Sequence, residues 1–202
     1  HFANAIKELD NAKLISVASK SKIKLKNFGK NYNISDDCLF NNYTDLINSN
    51  SINSVYISTL NNTHVELIQE CVKNKKNILC EKPIGLNVEE AKLAHNKLKD
   101  VKIFFNEAIA YRSHPQIIEL IDLIDTNEIG EIKKIDTSFG FKVQKINKDS
   151  RLFNKSLGGG AILDVGCYPV SFFNLFVDKK DKLKFIKVDG TSAITGVDDY
   201  AE

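Results

Sequence analysis

Four short apolar runs, separated by helix-like stretches, constrain the first hundred residues more than any other feature of the chain. Residues 14–18, 54–58, 77–80 and 101–105 each read as a strand buried on both faces and bounded by polar residues. Between the second and third runs, Thr63 and Glu66 stand three apart, and Val65, Ile68 and Val72 recur at helical spacing. That pattern predicts a capping box opening an amphipathic helix. Asn87 and Glu90 repeat the start signal ahead of Ala91, Ala94 and Leu98. Strands alternating with helices in this way predict a parallel sheet with right-handed crossovers.

The grammar changes after residue 106. Pro115 suits the first turn of a helix whose positions Ile117, Ile118, Leu120, Ile121 and Ile124 give an apolar side broad enough to be mostly buried, ending near Gly130. Ile135, Thr137, Phe139, Phe141 and Val143 then alternate with Lys134, Asp136, Ser138 and Lys142, which predicts a long strand with one wet face. Residues 184–189 and 193–197 read as further strands of the same antiparallel sheet. Two architectures in one chain predict two domains, 1–107 and 108–202, with the border near 106–112. Phe2, Ala5, Ile6 and Leu9 already have helical spacing, so the first strand of the parallel sheet would precede His1. The chain reads as a copy incomplete at both ends.

Charge and cysteine usage exclude several classes of function. The net charge of +2 comes from 28 basic and 26 acidic residues scattered along the whole length. No basic stripe is available to track a nucleic acid. No run approaches the ~18 apolar residues of a membrane helix, and a cytoplasmic protein is expected. Cys38, Cys71, Cys80 and Cys167 show neither paired spacing nor a neighbouring histidine, so buried, reduced thiols are expected and no metal site.

Three stretches concentrate the remaining signals and hold all three prolines: residues 80–85, 107–115 and 158–169. Glu81 and Lys82 follow a strand directly, where open parallel sheets bind their ligands. A lone lysine there is commonly a solvated charge. Asp164 and Tyr168 are four apart and would share one face of a helix begun by Gly158, Gly159 and Gly160, although an interior aromatic and a capping carboxylate fit the same pattern. Pro169 would kink or restart that helix. Among 28 basic residues only Arg112 and Arg151 are arginine, which suits positions that need a planar, permanently charged fork, or arises by chance.

Together these stretches resemble the glucose-fructose oxidoreductase and inositol dehydrogenase family, in particular its branch of dimeric dihydrodiol dehydrogenase and NADP-dependent xylose dehydrogenase. The carriers are residues 56–64, the Glu81-Lys82-Pro83 triplet, residues 107–115 with Tyr111-Arg112, and the segment from Gly158 to Tyr168. The resemblance implies an α/β protein: a Rossmann-type parallel sheet followed by an α+β domain with a mostly antiparallel open sheet, through which such proteins form homo-oligomers. It implies Lys82, Asp164 and Tyr168 as the catalytic trio, with Lys82 touching the reacting oxygen. A tyrosine, with an ordinary pKa of about 10, would exchange protons there only if a cation such as Lys82 lowered that value.

The resemblance also implies that Thr59, Asn61, His64, Glu81, Lys82 and Arg112 bind or line the cofactor cleft; Arg112 serves equally well in an interdomain ion pair. Where an acidic residue would hold the ribose hydroxyl of NAD, Ser19 and Lys20 stand instead, which suits the 2′-phosphate of NADP, with NAD as the alternative. The expected function is an NADP-preferring oxidoreductase transferring a hydride to or from a sugar, polyol or cyclic diol. A nucleotide-sugar dehydrogenase of the same family and a non-catalytic NAD(P)-binding sensor are the alternatives. A sensor has no need of the three proton-transfer groups.

Overall fold

The computed structural model describes residues 1–176 and 187–202. Two compact units divide it: His1–Ile57, Val65–Leu79 and Leu93–Asn106 form the first, and Ser58–His64, Cys80–Lys92 and Glu107–Glu202 the second.

The strand–helix alternation is realised over residues 1–107. In chain order it runs α1 (Phe2–Lys7), β1 (Val17–Ala18), α2 (Lys22–Tyr32), β2 (Leu39–Phe40), α3 (Tyr43–Asn48), β3 (Ser54–Ile57), α4 (His64–Lys73), β4 (Asn77–Cys80), α5 (Val88–Lys99) and β5 (Phe105–Glu107). β1 pairs with β2 in parallel, Val17 opposite Leu39, and a second sheet has the order β3–β4–β5. The 14–18 run contributes only its last two residues to a strand, and the 101–105 run yields a strand that begins at Phe105 and continues to Glu107. Phe104 is largely exposed, so apolar character there does not mark a buried strand. Ile47, Ile57, Ile68, Cys71 and Ile78 are buried. Burial pushes the Cys71 thiol up to about 12, which leaves it protonated and inert. None of the four cysteines forms a disulfide.

Helix starts follow the sequence signals with one change of partner. Asn87 Oδ1 accepts from Glu90 N at 2.9 Å, and Glu90 Oε2 accepts from Leu86 N at 2.8 Å. Thr63, expected to cap the next helix, turns its hydroxyl to Leu60 O at 2.8 Å and shares a 2.6 Å contact with Thr59. The carboxyl end of α3 is closed from a distance: the buried Lys76 ammonium donates to Ser49 O at 2.8 Å and Ile52 O at 2.6 Å.

In the second unit α6 (Pro115–Asp125) starts as expected, with Pro115 in the first turn and His114 Nδ1 accepting from Gln116 N at 3.1 Å. It stops at Asp125 rather than near Gly130, because Asn127 and Gly130 both take positive φ and reverse the chain. None of its residues is buried, so its apolar side is only partly covered. The strand expected at 135–143 does not form: the segment has no ladder partner among the described residues, and Phe139, Phe141 and Val143 are exposed. Alternation supplies a face, but a strand also needs a neighbour to satisfy its backbone. Residues 184–186 of the next expected strand lie outside the described residues, and 187–189 carry no strand.

A π-helical turn at Ile162–Gly166 leads into α7 (Cys167–Phe176). Pro169, expected to kink or restart the helix, is the third residue of α7, in the same helical run as the π-helical turn. β6 (Gly190–Ser192) and β7 (Asp198–Ala201) form an antiparallel hairpin. The strand expected at 193–197 is instead its connection, closed by Ala193 N to Val197 O and Gly196 N to Ala193 O, both 2.9 Å. Gly196, at φ +79, permits the reversal.

Candidate active site in the second unit

Lys82, Asp164 and Tyr168 come together in the second unit although 82 residues separate the first two. Lys82 follows β4 on a cis Lys82-Pro83 bond. Its ammonium donates to Asp164 O, lies 3.5 Å from Asp164 Oδ1, and sits 5.1 Å above the centre of the Tyr168 ring. Asp164 is buried, on the π-helical turn, and Tyr168 is half-buried on the first turn of α7. The wider turn is a departure from the regular helix expected to put the two on one face.

Two further side chains were not among the expected site residues. Arg151 Nη1 donates to the same Asp164 oxygen at 2.7 Å, so one buried carboxylate faces two cations. Its only sequence signal is the scarcity of arginine. Glu107, at the end of β5, accepts from Ile84 N at 2.8 Å through Oε1 and so ties down the loop that carries Lys82. Burial pushes the Glu107 carboxyl up; the Ile84 N–H, His64 and Arg112 oppose that shift.

The electrostatics of Tyr168 reverse the expectation that Lys82 lowers its pKa. Burial pushes the phenol above its ordinary value, and the negative charges of Cys167, Glu81 and Asp164 push the same way. Lys82 lies over the ring face, where it meets the π-electrons. At neutral pH Tyr168 therefore holds its proton and can give one away. Tyr111 and Phe139 flank its ring at 6.2 and 5.2 Å between centroids. Cys167 is half-buried, and burial pushes its thiol up as well.

The other expected residues fall into two groups. Asn61 and His64 are buried and committed to the protein itself. Asn61 Nδ2 donates to Gly158 O at 3.0 Å, while the His64 ring nitrogens face Pro83 O at 2.8 Å and Thr59 O at 3.2 Å. They pin the loops around the trio. Thr59 is held by Thr63, Glu81 is half-buried beside Lys82, and Arg112 is exposed on the turn before α6. Ser19 and Lys20 lie in the first unit, just beyond β1. Ser19 Oγ accepts from Ser21 N at 3.2 Å, and the exposed Lys20 reaches Tyr43 at 5.7 Å from its ring centre. Lys22 and Lys24 follow on the first turn of α2, which carries no acidic residue. Hydroxyls and ammonium groups without a carboxylate fit a phosphate-bearing ribose. Among the described residues no group of His, Cys, Asp and Glu could hold a metal ion, and no helix is long and apolar enough to cross a membrane.

The chain is 31% identical over 186 residues to a trans-1,2-dihydrobenzene-1,2-diol dehydrogenase of Xenopus tropicalis, covering 92% of this chain and 54% of that protein. It is 27% identical over 183 residues to a D-xylose 1-dehydrogenase (NADP(+)) of Haloferax volcanii, covering 91% and 52%. The chain thus spans about half the length of the curated relatives it matches. The crystal structure of an aldose-aldose oxidoreductase from Caulobacter crescentus, complexed with glycerol, has the same fold. Its TM-score is 0.78, with 22% identity over 85% of this chain and 52% of that one. Residues 1–105 match the NAD-binding Rossmann fold of the GFO/IDH/MocA oxidoreductases, and residues 117–202 match the C-terminal domain of that group. The chain belongs to the GFO/IDH/MocA oxidoreductase family.

Proposed function

We propose that the protein carrying this chain is an NADP-preferring dehydrogenase that interconverts a CH–OH group and a carbonyl on a sugar, polyol or cyclic diol. The observation that carries the reading is the cluster of Lys82 and Tyr168 around the buried Asp164, which brings a cation and a protonated phenol to one place. The xylose dehydrogenase relative is named for NADP, and the lysines and hydroxyls beyond β1 suit that cofactor. The dinucleotide supplies or accepts the hydride. Ser19 and Lys20 would hold its ribose phosphate when it is bound.

In the direction of reduction, Tyr168 gives its proton to the oxygen of the carbonyl as that oxygen gains charge. Lys82 holds the developing charge, and Asp164, bound by Arg151, keeps Lys82 in position. Oxidation runs the proton the other way, onto Tyr168. A raised phenol favours reduction at neutral pH and makes oxidation quicken as pH rises toward and beyond 10. An inert sensor would gain nothing from burying Asp164 against two cations.

Tyr168→Phe in the intact protein is expected to cut turnover by roughly 10²–10⁴-fold, the worth of one proton-transfer group, with NADP affinity nearly unchanged. Turnover is followed as NADPH absorbance with D-xylose and dihydrodiol substrates, and affinity by calorimetry. Near-normal turnover would remove Tyr168 from the reaction.

A further inference from the structure

The β6–β7 hairpin contains a carboxylate that the reaction does not use directly. Asp198 opens β7, and its Oδ2 accepts from Ile162 N at 2.6 Å. Ile162 begins the π-helical turn that carries Asp164 and runs on into Tyr168. The other oxygen occupies space that only glycine leaves open: a Cβ on Gly160 would stand 2.1 Å from Asp198 Oδ1, and Gly160 is at φ +121. Its place in the hairpin is equally specific. Thr191 pairs with Tyr200 but Ser192 pairs with Asp198, so a bulge skips Asp199 and changes which side of the ribbon Asp198 faces. Bulges commonly re-aim a side chain in this manner.

The same hairpin reaches Asp164 by a second route. Ala193 and Val197 are buried against Phe153, with Leu152 packed beside them. The next residue back is Arg151, which grips Asp164 Oδ1. One hairpin thus fixes the catalytic segment at its backbone start through Asp198, and at its carboxylate through the anchor beneath Arg151.

We propose that Asp198 is a positioning residue for the Lys82–Asp164–Tyr168 site: its carboxylate locks Gly160–Ile162 so that the following turns present Asp164 to Lys82 and Tyr168 to the substrate. The proposal rests on the reading of the trio given above. It requires an acceptor at Oδ2 and a small neighbour at residue 160, and it requires that loss of either misplaces groups that themselves remain intact. A misplacement of about 1 Å costs on the order of 10²-fold in rate.

The test compares Asp198→Ala, Asp198→Asn and Gly160→Ala in the intact protein, each alone and in a Tyr168→Phe background. Asp198→Ala and Gly160→Ala are expected to lower kcat by roughly 10–100-fold with little change in KM for the sugar or in NADP affinity by calorimetry. Asp198→Asn keeps an acceptor for Ile162 and is expected to restore most of the rate. In the Tyr168→Phe background, Asp198→Ala should cost much less, because the group it positions is already gone. Loss of NADP affinity in step with kcat, failure of Asn to rescue, or full additivity with Tyr168→Phe would each overturn the proposal. Should Asp198→Ala lose its folded circular-dichroism spectrum, Asp198→Glu, which keeps the charge but moves it by one methylene, is judged by the same criteria. If Tyr168→Phe alone has normal turnover, the reading of the trio fails; if it is impaired while Asp198→Ala and Gly160→Ala are not, only the positioning role fails.

Discussion

On the proposed reading, Lys20 and Ser19 would carry the choice between two cofactors that differ by one phosphate. Lys20 is exposed, and the π-face of Tyr43 at 5.7 Å is a weak competitor for its charge. A charge-assisted hydrogen bond contributes about 1.5–3 kcal/mol. Lys20→Ala is accordingly expected to weaken NADP binding by roughly tenfold or more and to leave NAD binding unaltered, as calorimetric titration of each cofactor would show. Because the contact is exposed, the preference for NADP should also shrink as ionic strength rises. Equal effects on both cofactors would place Lys20 away from the phosphate. At this same scale, Lys82, Asp164 and Tyr168 were legible because each sits in a short motif whose order and spacing repeat in a family. Glu107 and Asp198 were not, since each pairs with a backbone N–H, of Ile84 and of Ile162, that any residue could supply.

β5 and the loop after β4 are joined through the Glu107 carboxylate, and burial has raised its pKa. A carboxyl raised in the folded state favours the folded state fully below its unfolded value, about 4.3, and that contribution is lost as pH rises through the raised value. The Ile84 N–H bonds to an oxygen of either form, so the cost at neutral pH is the buried charge rather than a lost hydrogen bond. Glu107→Gln is expected to remove this pH-dependent component: urea midpoints of the two proteins, compared across pH 4 to 8, should draw together at the acid end and separate in favour of the glutamine variant above it. A constant difference would mean that Glu107 titrates as an ordinary carboxyl. Element types were legible wherever periodicity came with start signals, as in α5 and α6. They failed where a period stood alone. The alternating 135–143 segment has a strand's pattern but no ladder partner among the described residues, and Ala193 to Val197 is apolar because it packs on Phe153 while turning a hairpin. Pairing partners lie far along the chain and leave no local trace.

Over the whole chain, the second unit leaves more apolar surface open than its fold requires. Phe139, Phe141 and Val143 stand at alternate positions of a segment without strand partners among the described residues, and Ile118, Val170 and Phe173 are also exposed on α6 and α7. Scattered apolar side chains are ordinary on a surface, but clusters beyond a few hundred Å² usually meet another protein surface. A net charge of only +2 gives little repulsion to keep copies apart. The 202-residue chain is therefore expected to self-associate at micromolar concentration, through exposed apolar side chains of the second unit that include Phe141. Phe141→Glu introduces a charge that any close-packed interface would have to desolvate, at a cost of several kcal/mol. It should shift the weight-average mass in sedimentation equilibrium toward the 22.7 kDa monomer, and it lies outside the Lys82–Asp164–Tyr168 contacts. Lys145→Glu, a charge change at an exposed polar position of the neighbouring loop, should leave the mass distribution as it was. If both substitutions shift the mass toward monomer alike, local charge rather than the apolar surface governs association, since both bring the net charge of +2 nearer zero; if neither acts, the contact lies elsewhere.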